Sequence, residues 1–259
     1  LMGIQREAFL DSVFASPLER PPGGAPAYSN TGYGLLAAIV EEASGDSLAR
    51  YFQRNLFEPA GMTATVLYGK MALARGLTVA RGYETGLPTS RGTMWPADAP
   101  VAWGDHGSSG ILTTATDLYR WHRALQAGSI LDSVRLERYL PSRAKPAVPP
   151  YAGWRARTDR FGRTVISHNG ATLGFNADYR WYPEESLLII VLSNSRPLGL
   201  GLASAISSGF VADLAFDSVS ATAPPPVPVA RRVPIDGDMT GDYRLPDGDS
   251  FRVDVDRHG

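Results

Sequence analysis

The runs Asn176 to Tyr182 and Leu187 to Ser193 read as β-strands, and only Pro183 to Ser186 lies between them. A parallel crossover needs a dozen residues or more, so these two strands must pair antiparallel. A third strand, Arg163 to Ser167, precedes them. Upstream the periodicity is helical. Thr31 to Ala43 carries a broad apolar face and closes at Gly45, and Ser47 caps a second helix that runs to about Phe57, ended by Pro59 and Gly61. Thr114-x-x-Asp117 is a capping-box-like start for a helix from Asp117 to Gln126, with Leu118, Trp121, His122 and Leu125 on one face and Gly128 as its stop. His122 on that face reads as a packed core histidine rather than a ligand. Gly69 to Gly110, rich in Gly, Pro and Thr, reads as long irregular connections, and a small-residue helix is expected behind the strands at about Leu198 to Phe216. Helices first and strands afterwards imply an α+β or mixed α/β domain.

Composition narrows the function. In 259 residues there are 25 Lys and Arg against 26 Asp and Glu, and no Cys. A disulfide scaffold, a thiolate zinc site, an iron–sulfur cluster and a cysteine nucleophile are therefore excluded. Near-zero net charge argues against nucleic acid as a partner. The longest apolar run, Leu187 to Leu192, is too short to span a bilayer. Residues 1 to 162 form a mostly helical and irregular region, and residues 163 to 223 the strands with their closing helix. Residues 224 to 234, with the stretch Pro224 to Pro228, read as an extended linker. In residues 235 to 259, Tyr243, Leu245, Phe251, Val253 and Val255 alternate around Pro246-Asp247-Gly248, a hairpin expected to begin a C-terminal β domain cut off at Gly259.

Two triplets stand where chemistry can be done. Tyr28-Ser29-Asn30 occupies a loop-to-helix corner, after the Pro/Gly-rich stretch Pro21 to Pro26, and His168-Asn169-Gly170 ends a strand. At this composition a Tyr-x-Asn arises by chance about 0.2 times and a His-x-Gly about 0.4 times, so neither means much alone. In the blander reading Asn30 caps the helix, Tyr28 staples it, and the second triplet is a polar turn. Other patterns are weaker. Gly199-x-Gly201-x-x-Ser204 resembles a dinucleotide-binding turn, but a proline linker stands where the second strand should be. There is no Gly-x-Ser-x-Gly elbow and no His-x-x-x-His pair. Asp105, His106, Ser108 and Ser109 have the composition of a triad, but sequence neighbours rarely converge on one point. They read as a loop lining a cleft.

The order and context of the triplets are more specific. PPGGAPAYSNTGYGLLAAIVEEASG, LFEPAGMTAT, SSGILTTATDLYRWHRALQAG and SHNGATLGFNADYRWYPEESLLIIVLSNS together resemble the serine β-lactamase and penicillin-binding-protein superfamily. The resemblance is to its class C-like branch of β-lactamases, D-alanyl-D-alanine carboxypeptidases and esterases, over roughly residues 7 to 216. It implies a β-lactamase/transpeptidase-like α/β (α+β) fold, an antiparallel sheet flanked by helices with a helical subdomain. It also implies an acyl-enzyme mechanism without a cofactor or metal, on a small-molecule ester, amide or peptide, in a periplasmic or secreted setting. By the resemblance, Tyr28, Asn30 and His168 are catalytic, and Gly170 and Ala171 serve the substrate and the oxyanion. A free phenol titrates near ~10, so Tyr28 acts as a base only beside cations. Asn30 offers an amide to substrate and lysine. Gly170 admits substrate backbone, and the Ala171 N–H is an oxyanion donor.

The family's Ser-x-x-Lys has no counterpart before Tyr28: three residues after Ser12 stands Ala15, and three after Ser16 stands Glu19. The one formal match, Ser142-x-x-Lys145, lies between the two triplets, flanked by Pro141 and Pro146, and reads as a surface loop. The chain is thus expected to be a piece of a longer hydrolase, inactive alone and able to associate with a missing N-terminal segment. The alternative is a non-catalytic pseudoenzyme or binding module. His168 replaces a fixed lysine charge and tilts the expectation from β-lactamase toward esterase or peptidase.

Overall fold

A computed structural model describes residues 5–24, 27–68, 72, 75–85, 93–95, 103–140, 153–159, 161–172, 174–197, 241–244 and 250–253. The chain divides into two units, Leu1–Asp217 and Ser218–Gly259. The first opens with α1 (Arg6–Ala15), a helix with no sequence forecast, whose buried residue is Phe9. That ring lies 5.5 Å from the Trp103 ring. It also rests on Gly34, where a Cβ would come within 2.7 Å of it.

Helix α2 (Asn30–Ser44) starts at Ser29, whose hydroxyl accepts the Gly32 N–H, and ends at Gly45 in the left-handed region, φ 67°. Only glycine reaches that conformation without steric cost, which is why the helix stops there. The cap is Ser29 and not Asn30. The next helix, α3 (Leu48–Phe52), is capped by Ser47 and passes into a π-helical turn, Gln53–Phe57, rather than continuing straight. Strand β1 (Val66–Leu67) follows, with β2 (Gly82–Thr85), β3 (Thr93–Trp95), a 3₁₀ turn at Trp103–Asp105 and β4 (Ile111–Leu112). Helix α4 (Ala115–Gln126) is capped by Thr114, which accepts the Asp117 N–H, and α5 (Ser133–Tyr139) is capped by Asp132.

The helical core packs Ala37, Leu48 and Leu67 together, with Val40, Phe52 and Trp103 against them. Burying each Leu in such a cluster contributes about 1.5–3 kcal/mol. Strand β1 pairs antiparallel with β4. It is tied to α4 by Asp117, which is 0% exposed. The Asp117 carboxylate accepts the Ala64 N–H at 2.8 Å, the Thr65 hydroxyl at 2.7 Å and the Arg120 guanidinium at 2.7 Å.

The main sheet comprises β5 (Arg155–Thr158), β6 (Thr164–Thr172), β7 (Phe175–Tyr182) and β8 (Leu187–Ser193), adjacent in that order and antiparallel throughout. The expected pairing of the last two holds. Strand β6 runs five residues beyond its expected end at Ser167, because its ladder with β7 continues to Thr172↔Phe175. His168-Asn169-Gly170 is therefore interior strand and not a turn. Strand alternation separates two faces. One carries Ile166, Tyr179, Trp181, Leu188 and Ile190, packed with Trp154 and Tyr139. The other carries Val165, Tyr182 and Ile189. Strand β9 (Ser195–Pro197) pairs parallel with β2, and β3 joins on the other side, so part of the stretch expected to be irregular is a small sheet.

The second unit holds an antiparallel pair, β10 (Gly241–Arg244) and β11 (Ser250–Val253), with Tyr243 opposite Phe251. Leu245, the turn Pro246 to Gly248, Val255, the linker and the expected helix at 198 to 216 lie outside the described residues. Among the described residues no helix is long and apolar enough to cross a membrane.

Candidate active site

The corner before α2 presents Tyr28 to solvent, 66% exposed, with Asn30 exposed beside it as the first helical residue. What holds this corner in place is the next turn. A Cβ on Gly107 would lie 2.4 Å from the Tyr33 carbonyl oxygen, and one on Gly153 would lie 2.7 Å from the Tyr33 hydroxyl. Both glycines have positive φ, 78° and 91°. The helix backbone thus meets Gly107 at a distance that only glycine permits, and the Tyr33 side chain reaches the backbone just before β5 at Gly153.

On the sheet side, His168 is half-buried on β6, directly opposite Tyr179 on β7, and so shares the aromatic face. Tyr179 lies 5.1 Å from Trp154, and Trp154 lies edge-on to Tyr139 at 6.1 Å, centre to centre. Beneath them His122 Nδ1 and the Tyr179 hydroxyl are 2.7 Å apart, and the His122 ring stands edge-on to Trp181. His122 is the packed histidine its helical position suggests. Burial, reinforced by the nearby charge of Arg155, holds the His168 imidazole below its ordinary 6.5. At neutral pH it is an uncharged hydrogen-bonding group.

Gly170 and Ala171 follow His168 on the same strand, both exposed, and a Cβ on Gly170 would meet nothing within 4 Å. The described ladder between β5 and β6 ends at Arg155↔Ser167, whereas β6 continues to Thr172. From His168 onward, therefore, β6 has a described strand on one side only. In an antiparallel ladder alternate residues turn their N–H and C=O groups to each side, so such an edge can accept another extended backbone.

The structure thus places His168, Gly170 and Ala171 along one strand, where no described strand flanks them on the β5 side, and the helix that begins at the Tyr28 and Asn30 corner approaches the start of β5 through the Tyr33 hydroxyl at Gly153. Tyr33 and Arg155 were not singled out from the sequence. Spacing three residues beyond Asn30 on one helix could have flagged Tyr33; Arg155 is significant only through its register. The loop of Asp105 to Ser109 is not a triad. The hydroxyls of Ser108 and Ser109 both donate to the Asp105 carbonyl, and His106 is stacked on Tyr68 at 4.4 Å. Ser142, Lys145 and the Gly199 to Ser204 turn lie outside the described residues. Among the described residues no group of three His, Cys, Asp or Glu could hold a metal ion.

A family model described as Beta-lactamase matches residues 3–206, and the chain belongs to that family. It is 28% identical over 181 residues to a D-aminopeptidase of Gluconobacter oxydans, covering 68% of this chain and 33% of that protein. It is 27% identical over 176 residues to penicillin-binding protein 4* of Bacillus subtilis, covering 64% of this chain and 39% of the relative. The chain therefore spans about a third of the length of these curated relatives. Among solved structures, a D-amino acid amidase from Ochrobactrum anthropi superposes with a TM-score of 0.66 at 21% identity, covering 83% of this chain and 65% of that one. A penicillin-binding protein from Bacillus halodurans gives 0.64 at 23%, covering 80% and 62%. The fold is that of β-lactamases and penicillin-binding proteins, an α+β arrangement of helices and antiparallel sheet.

Proposed function

We propose that this chain carries two of the three parts of a serine hydrolase site acting through an acyl-enzyme on a small amide, peptide or ester. The observation that supports this reading is that β6 continues from His168 to Thr172 past the described pairing with β5, while the helix that follows Tyr28 and Asn30 approaches the start of β5 through the Tyr33 hydroxyl. A substrate backbone laid along that stretch of β6 brings its carbonyl next to Ala171, whose N–H would receive the oxyanion. A serine Oγ attacks the carbonyl carbon and its proton passes to Tyr28 in its phenolate form, held so by the lysine that accompanies the serine; the C–N or C–O bond then breaks as Tyr28 gives that proton to the departing amine or alcohol. Asn30 orients the carbonyl, and neutral His168 hydrogen-bonds without fixing a charge. Water repeats the sequence on the ester and frees the acid.

The acylating serine, in this reading, lies in a segment that precedes Leu1 in the natural protein, and the 259-residue chain alone does not turn over substrate. The relatives whose names denote hydrolysis of D-amino acid amides and peptides make amides the favoured class. The test is labelling with a fluorophosphonate and locating the adduct by mass spectrometry. The expected outcome is an adduct on a serine upstream of Leu1 in the full natural protein and none on this chain. Labelling of Ser142 in this chain would place the nucleophile elsewhere, and no adduct on the full protein would leave a non-catalytic binding module.

A further inference from the structure

Four polar side chains from four separate segments meet away from the corner of Tyr28 and Asn30. Arg6 lies on α1 and Glu41 on α2, Tyr68 directly follows β1, and His106 directly follows the 3₁₀ turn at Trp103–Asp105. The Tyr68 and His106 rings are stacked at 4.4 Å, the Trp103 and His106 rings lie 5.0 Å apart, and the Arg6 guanidinium stands 5.8 Å over Trp103. Glu41 closes the group. Its Oε1 accepts the Leu48 N–H at 2.9 Å, while its Oε2 faces Arg6 Nε across 3.6 Å, an ion pair too long to be a hydrogen bond. Burial, and after it the Glu41 charge, raises the titration of the Tyr68 phenol. Burial lowers that of His106, and the charges of Glu41 and Asp105 oppose it. Both rings therefore stand in the field of the Glu41 carboxylate.

Arg6 Nε, the Tyr68 hydroxyl and His106 Nδ1 are buried, and none of them has a hydrogen-bond partner among the described residues. Such atoms are rare in native proteins, because each carries the full cost of leaving water. Tyr68 also sits at φ 70°, a strained conformation for a residue with a Cβ, and its ring is backed by Gly110, where a Cβ would lie 2.8 Å from it. The phenol is thus held against His106 and Gly110. Arg6 and Glu41 balance in charge, and His106 is neutral at neutral pH, so the group calls for a neutral molecule rather than an ion. Water accepts from the Arg6 N–H, donates to Glu41 Oε2, and bonds the Tyr68 hydroxyl and His106 Nδ1 in either tautomer. We infer that this junction is a binding site for ordered water, which bridges the Tyr68 hydroxyl to His106 Nδ1, Arg6 Nε and the Glu41 carboxylate. The inference does not depend on the hydrolase reading. It gives His106 the part of fastening the loop of Asp105 to Ser109 to α1 and α2.

The experiment joins a high-resolution crystal structure of the full natural protein with urea unfolding of wild type, Tyr68→Phe and Tyr119→Phe. The crystal should show a water about 2.7–3.2 Å from the Tyr68 hydroxyl and within the same reach of at least one of His106 Nδ1, Arg6 Nε and Glu41 Oε2. Removing a hydroxyl that holds water costs a hydrogen bond and strands the water. Removing one that bonds nothing relieves the protein of a buried polar atom. Tyr68→Phe should therefore lower the folding equilibrium constant by about three- to tenfold, the scale of one hydrogen bond. Tyr119, which is 51% exposed, undergoes the same chemical change on the surface and should leave the constant unmoved. The inference is overturned if no water stands at the junction, or if the Tyr68 hydroxyl bonds directly to a protein group there. It is overturned equally if Tyr68→Phe is as stable as wild type or more stable.

Discussion

Replacing Asp117 with Ala should cost this chain about 3 kcal/mol, through hydrogen bonds rather than through the ion pair that the structure also shows. Asp117 is 0% exposed and its two strong acceptor contacts are the Ala64 N–H at 2.8 Å and the Thr65 hydroxyl at 2.7 Å, both from the segment leading into β1. Hydrogen bonds to a charged group contribute about 1.5–3 kcal/mol each. Two of them sum to roughly 3–6 kcal/mol, from which relief of the cost of keeping a carboxylate out of water must be subtracted. Thr65 keeps its contact with Thr113 at 2.7 Å, which limits the loss further. Arg120 is 45% exposed, so its pair with Asp117 adds at most about 1 kcal/mol. Urea unfolding should therefore show Asp117→Ala lowering the midpoint by about 1 M at unchanged slope. Asp117→Asn, whose one oxygen can stand at Oδ2 and accept from both Ala64 and Thr65 without the charge, should lose less than Asp117→Ala, and Arg120→Ala far less than Asp117→Ala. If Arg120→Ala costs as much as Asp117→Ala, the ion pair rather than the buried acceptor holds β1 to α4, and the reasoning fails.

Acid should destabilise the fold in a defined window. Burial lowers the titration of His106, His122 and His168 below 6.5; Arg123 adds to this for His122 and Arg155 for His168, while Glu41 and Asp105 oppose it for His106. Below pH 6.5 the unfolded chain therefore binds protons that the folded chain refuses, so stability should fall as pH drops from 6.5 through the folded values. Urea midpoints that are flat between pH 7.5 and 5 would contradict this. Gly153→Ala should cost about 1–3 kcal/mol, since φ is 91° and the new Cβ would lie 2.7 Å from the Tyr33 hydroxyl. Adding Tyr33→Ala should recover the clash but not the φ strain, so strictly additive losses in the double variant would show that the two residues do not touch.

Much of this was legible because it is local. Helix α2 was expected at Thr31 to Ala43 and runs Asn30–Ser44, since its glycine stop and apolar face are both written within fifteen residues. The β7–β8 hairpin was legible for the same reason. Helix α1 was not, because its packing depends on Phe9 meeting Trp103, almost a hundred residues away. The parallel pairing of β2 with β9 joins Tyr83 to Ser195 and leaves no local signature. Strand β6 looked finished at Ser167 because His, Asn and Gly are poor strand formers. Cross-strand pairing with β7 outweighs that preference and carries β6 past the described end of its pairing with β5. Tyr28, Asn30, His168, Gly170 and Ala171 could be picked out through family resemblance, but the point at which the described pairing of β5 with β6 stops is written only in the register.

The proposal that the α2 corner and β6 form one hydrolase site is tested most directly by the acylation rate of the full natural protein with a p-nitrophenyl ester, wild type against Tyr28→Phe. If Tyr28 moves the proton, the rate should drop by about 10²–10⁴-fold, the usual loss of a general acid–base group, with the far-UV circular dichroism unchanged. An unchanged rate in a folded variant would remove Tyr28 from the chemistry and the proposed site with it.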